Sequence, residues 1–177
     1  MNERSMAVIL GIDPGLNTTG YGVIETPVDG KVRLGVRLKE RLKVRLLEAG
    51  VVRSRSDILA EKIREIYDGV REILTAFVPD AMALEELYSH YDRPQTAILM
   101  GHARGAICLA AVQSGVPVHP YSATKIKKLL TGSGHAPKDQ MQRAIQLELH
   151  LPRIPEPPDV ADALAVALCH FYHGKVG

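Results

Sequence analysis

The chain has 177 residues, 46% hydrophobic and 24% charged, with a formal net charge of +2. That length and balance fit one globular domain over residues 1–177 with a full hydrophobic core, and they exclude a disordered, fibrous or disulfide-stapled chain. No apolar run reaches the roughly 18 residues that span a bilayer, and the opening "MNERSM" has no signal-peptide pattern, so the expected location is cytoplasmic, with no membrane partner.

Residues 7–12 form a short aliphatic strand that ends in Asp13, followed at once by Pro14 and Gly15. A carboxylate at the end of a buried strand costs several kcal/mol unless something pairs with it. "TGYGVIET" (19–26) and "LEAGVVRS" (47–54) read as two further strands, and three strands before the first strong helix predict an antiparallel meander. From Val32 to Leu46 the even positions are apolar, except Glu40. This period of two predicts an extended basic β-hairpin over residues 31–46, turning at Lys39, Glu40 and Arg41, with Arg33, Arg37, Lys43 and Arg45 along one face. That ladder is either a solvated face or a DNA-backbone contact. The leucines at 34, 38, 42 and 46 also fit a helix.

Between Asp57 and Asp80, Leu59, Ile63, Ile66, Val70, Ile73, Leu74 and Phe77 recur at helical spacing, with Asp57 as the expected N-cap and Pro79 as the stop. "DAMALEE" (80–86) reads as a buried strand and "TAILMGHARGAICLAAVQSG" (96–115) as an apolar helix. "VPVHPYS" (116–122) is a fifth strand, "ATKIKKLLTG" (123–132) and "KDQMQRAIQLELH" (138–150) are helices, and after "LPRIPEPP" comes a last helix, "DVADALAVALCHFYH" (159–173). The order predicts an α/β fold with a five-stranded mixed sheet flanked by helices. Cys108 and Cys169 fall in helical stretches outside any CxxC pair and read as reduced core thiols.

The partners of Asp13 should be acids at strand ends or on a facing helix. Glu85 and Glu86 end the fourth strand, and alternation alone leaves open which of them turns toward Asp13. Asp159 and Asp162 stand three residues apart, on one face of a helix that is otherwise apolar nearly all round. Alone, such a pair complements the helix dipole; on a buried helix it is also a candidate ligand pair. Carboxylates without His or Cys form a hard oxygen set that suits Mg²⁺ or Mn²⁺. Two such ions activate water and stabilise a leaving oxygen in phosphodiester cleavage.

Five stretches in this order, "ILGIDPGLNTTGYGVIE", "ALEE", "GHARG", "YSATKIKKLLTGSGHAPKDQM" and "DVADALAVALCH", resemble the RuvC family of Holliday-junction resolvases over nearly the whole chain. The resemblance implies an RNase H-like fold with helices on both faces of the sheet. It implies a homodimer that cuts four-way junction DNA by paired symmetric nicks, leaving 5′-phosphate and 3′-hydroxyl ends. It also implies two Mg²⁺ ions per subunit, with Mn²⁺ as an alternative, held by Asp13, Glu85, Asp159 and Asp162 as the catalytic acids. The family motif thus selects Glu85 over Glu86. Lys127 and Lys138 match lysines near the scissile backbone; on its own terms Lys127 is a helix-surface lysine. Tyr88, with His90 and Tyr91 in the same loop, matches an aromatic that stacks on junction bases. "GHARG" falls on the family's dimer helix, and RuvA- and RuvB-type branch-migration proteins are implied partners. The basic segment is longer than the family's second hairpin and inherits no role.

Three rival readings remain. Sugar kinases and actin-like ATPases share the Asp-Gly opening but need two domains. A YqgF-like nuclease shares it without the DVAD helix. A non-catalytic junction-binding module would lack one of the four acids.

Overall fold

The computed structural model describes residues 6–28, 44–87 and 94–173. The elements follow the predicted order: β1 (Met6–Asp13), β2 (Thr18–Pro27), β3 (Arg45–Arg53), α1 (Leu59–Phe77), β4 (Ala81–Glu85), α2 (Pro94–Gln113), β5 (Val118–Tyr121), α3 (Ala123–Thr131), α4 (Lys138–Glu148) and α5 (Pro158–His173). The strands form one sheet of order β3-β2-β1-β4-β5. β1, β2 and β3 make the antiparallel meander, and β4 and β5 add parallel to β1. The carboxyl ends of β1, β3, β4 and β5 therefore lie along one edge.

Strand alternation sends side chains to two cores. On one face Ile9, Ile24, Ala83 and Tyr121 pack under α5, α3 and α4. On the other, Leu10, Ile12, Val23, Met82 and Leu84 pack under α1 and α2. A bulge in the β2–β3 ladder leaves Leu47 without a partner, because Val23 faces Glu48 and Ile24 faces Leu46. The bulge switches the phase of β3: Val44 and Leu46 before it, and Ala49 and Val51 after it, all join the α5-side core, while Leu47 and Val52 join the other.

Asp57 is not the cap of α1. The N-cap is Ile58, with no side-chain cap bond. Ser56 Oγ accepts from the Ile58 amide, and the Glu65 carboxylate accepts from the amides of Arg55 and Ser56, so the turn is closed without the exposed Asp57. At the other end Val78 closes α1 in the left-handed region (φ 44°), and its amide donates to the Leu74 carbonyl just before Pro79. Cys169 is buried, Cys108 is partly buried, and both are free thiols. Among the described residues no helix is long and apolar enough to cross a membrane. Most of the 31–46 segment lies outside the described residues, including Arg33, Arg37 and Lys43.

Candidate active site

Asp13 ends β1, and the chain turns away through Pro14 and Gly15. Buried Thr19 holds that turn, its hydroxyl donating to the Gly15 carbonyl at 2.7 Å and accepting from the Gly15 amide at 3.3 Å. From the far side Ser54 donates to the carbonyls of Leu16 and Asn17, at 2.6 and 3.1 Å, and Lys62 Nζ donates to Asn17 Oδ1. The loop behind Asp13 is thus tied to β2, β3 and α1.

β4 lies beside β1 with Leu84 opposite Ile12, which puts Glu85 next to Asp13 at the shared edge. Ala83 packs on the α5-side core, while Met82 and Leu84 pack on the other. Alternation then turns Glu85 toward α5. Glu86 lies past the end of the strand and is exposed, its amide donating to the Tyr121 carbonyl. Arg104 of α2 donates from its guanidinium to the Glu85 carbonyl and so holds the strand end from behind.

Asp159 and Asp162 are delivered by α5, which crosses β1 and β2 where those strands carry glycine. A Cβ on Gly20, the residue paired with Asp13, would run into the backbone of Asp159. Likewise a Cβ on Gly11 would stand 2.7 Å from the Ala167 amide, and one on Gly22 would stand 2.8 Å from Leu164 Cγ. The missing side chains let the helix lie directly on the strands and bring its acidic first turns to Asp13.

The electrostatics show how closely the four acids converge. The pKa of Asp13 is pushed up from 3.8 to about 8, first by burial and then by the charges of Glu85, Asp162 and Asp159. Glu85 is also raised, by burial and by Asp162, with partial relief from its hydrogen bond to Asp13 and from Lys127 and Lys138. Lys138 Nζ pairs with Asp162 Oδ2 at 3.2 Å. Glu85, Lys127, Lys138 and Asp162 line a cavity of about 250 Å³ together with Ala123, Ile126, Met141 and Ala165. In this side-chain arrangement no three acids among the described residues stand ready around one ion, and the Lys138 ammonium on Asp162 offsets part of the charge. The donor set itself, four carboxylates whose mutual repulsion adds to burial in raising Asp13, is what a hard divalent cation relieves.

The structure thus brings together Asp13, Glu85, Asp159, Asp162, Lys127 and Lys138. Tyr88, with His90 and Tyr91, lies outside the described residues. Arg45 stands at the opposite end of β3 from the acids and pairs with Glu25 at 3.0 Å. Sequence reasoning passed over Thr19, Arg104 and the glycines at 11, 20 and 22. The glycines carried a signal, because three interruptions within strand-like runs mark a close backbone approach.

A family model described as "Crossover junction endodeoxyribonuclease RuvC" matches residues 9–170. A Rhodopirellula baltica protein of that name is 56% identical over 95% of this chain and 88% of its own length. Another, from Tolumonas auensis, is 41% identical over 93% of this chain and 87% of its own. A solved structure, Thermus thermophilus RuvC in complex with a Holliday junction substrate, superposes with a TM-score of 0.83 at 35% identity, covering 97% of this chain and 96% of that one. With the acid row, the glycine-seated helix and the matched sequence in agreement, the chain belongs to the RuvC family of crossover junction endodeoxyribonucleases, which are metal-dependent nucleases.

Proposed function

We propose that this chain resolves four-way DNA junctions in the cytoplasm as a homodimer, each subunit making one of two symmetric nicks that leave 5′-phosphate and 3′-hydroxyl ends. The observation that carries the reading is the convergence of Asp13, Glu85, Asp159 and Asp162 at one sheet edge, where burial and then the charges of the other three acids push the Asp13 carboxyl up to about 8. These four carboxylates would hold two Mg²⁺ ions, with Mn²⁺ able to replace them. Bound there, the ions supply Lewis acidity to the attacking water and the leaving 3′ oxygen. Asp13, whose carboxyl feels the charges of all three other acids, would be a ligand common to the set.

The protein's own groups position the strand. Lys127 and Lys138 line the cavity beside Glu85 and Asp162 and would hold phosphate oxygens next to the scissile bond. Lys138 would exchange its bond to Asp162 for one to phosphate as cations take over the carboxylates. Arg104 keeps the Glu85 strand end in register from outside the acid row. Tyr88 stacking on junction bases, and Arg33, Arg37, Lys43 and Arg45 contacting the backbone, complete the proposed DNA interface.

The direct test uses Asp13→Asn and Asp162→Asn on a synthetic four-way junction. Both variants should bind it in metal-free buffer as the wild type does, and neither should cleave it in Mg²⁺ or Mn²⁺. Cleavage at the wild-type rate by either variant would overturn the assignment of the acids.

A further inference from the structure

We propose that Arg53, at the end of β3, is a phosphate-contact residue on the flank of the acid row opposite Lys127 and Lys138, so that the cleaved strand is gripped on both sides of the carboxylates. The inference rests on the junction-nuclease reading and extends it to a residue with no part in the motifs. β3 runs parallel to β1, two strands away, with its carboxyl end at the edge that carries Asp13 and Glu85. In register, Asp13 faces Gly20 and Gly20 faces Val51, and Arg53 is two residues further on, opposite Thr18.

The face also agrees. Ala49 and Val51 pack on the α5-side core and Val52 on the other, so Arg53 shares the side of the sheet with Asp13, Glu85 and the acidic turns of α5. An exposed arginine at a strand end is ordinarily a solvated one. Arg53 differs in being anchored, because the next residue, Ser54, is bonded through both its amide and its hydroxyl to the loop that follows Asp13. Its guanidinium is in no ion pair among the described residues. The neighbouring acids Glu61 and Glu65 are committed to the Ser56 hydroxyl and to the amides of Arg55 and Ser56.

Charge decides what this position can do. A row of four carboxylates repels a polyanion, so a strand crossing it must be held by cations beside the row. Lys127 and Lys138 stand on the β5 side. Two strand intervals place the Arg53 backbone on the order of 10 Å from Asp13 on the other side. With one phosphate per strand about every 3.4 Å of helix axis, a strand over Asp13 presents another phosphate within reach of that guanidinium. The planar fork of arginine suits two phosphate oxygens at once.

The test measures affinity against salt concentration in metal-free buffer, for the full chain on a four-way junction and on linear duplex. Arg53→Gln, which keeps most of the aliphatic stem, should weaken binding about tenfold and flatten the slope of log affinity against log salt by about one. Arg53→Lys should restore the slope. Arg71→Ala, on α1 at the other face of the sheet, should match the wild type. An Arg53→Gln protein with the wild-type slope and the wild-type melting temperature overturns the contact. If the wild type itself binds the junction no better than the duplex, the junction reading fails, while the slopes on duplex still decide the role of Arg53.

Discussion

Asp13 is the residue on which the chemistry and the cost of the site meet. Its carboxyl is half-buried beside three other acids, and its pKa of about 8 against 3.8 for a free aspartate is the cost expressed as proton affinity. Because the folded state binds this proton more tightly than the unfolded chain, stability from this group falls as pH rises from about 4 to 8 and stays low above that. Replacing the carboxyl by an amide removes the penalty. In metal-free buffer at pH 8, Asp13→Asn should therefore be more stable than the wild type by about 2 kcal/mol or more, with the difference shrinking toward zero as the pH is lowered to 4. Urea unfolding at several pH values measures this, and equal stability at pH 8 would show that Asp13 is not held against repulsion. Saturating Mg²⁺ should narrow the gap, since binding to the folded state stabilises it and the amide is a poorer ligand.

Among the elements, α5 is the one whose placement makes the site, and its placement depends on glycine. Gly20→Ala puts a methyl group into the Asp159 backbone, so the start of α5 must lift away from the strand that carries Asp13. The expected outcome is a loss of about 1–3 kcal/mol of stability, with cleavage slowed on the order of a hundredfold by a shift of about 1 Å and junction affinity nearly unchanged. Thermal unfolding and single-turnover cleavage read the two effects separately, and a Gly20→Ala protein of normal rate would mean that α5 need not touch β2. The periodicities in the sequence foretold the order of the elements, since apolar spacing of two or of three to four survives whatever packs against it. They did not foretell the bulge at Leu47 or the cap of α1, where Ser56 and Glu65 do what Asp57 was expected to do. The choice between Glu85 and Glu86 depends on which face of β4 lies under α5, a long-range fact that alternation does not contain. Only the resemblance selected Glu85, and the register agrees with it. Arg104 was unreadable for the same reason: its acceptor is a backbone carbonyl 19 residues away.

At the scale of the molecule, the acids open on the α5 side of the sheet, while α1 and α2 cover the other side and α2 carries apolar residues on its outer face as well. Ala103, Ile107, Ala110 and Ala111 are buried in the core shared with α1 and the sheet, yet Ile98, Leu109 and Val112 are 62%, 52% and 70% exposed. Gly101 and Gly105 have open space where a Cβ would point. An exposed apolar stripe interrupted by glycine is costly in water and suits close approach of another helix. In a two-fold dimer the natural occupant is the same stripe of a second copy. The same helix holds the Glu85 carbonyl through Arg104, so one helix links the proposed dimer face to the proposed active site. Two nicks in one junction require two such sites engaged together. Leu109→Glu combined with Val112→Glu places charge in the stripe without touching the buried side of α2, so the protein should fold but sediment as a monomer. On a plasmid cruciform it should give nicked circles where the wild type gives linear product, because a single subunit cuts one strand and leaves before the second cut. A double variant that still sediments as a dimer and linearises the plasmid would place the interface elsewhere.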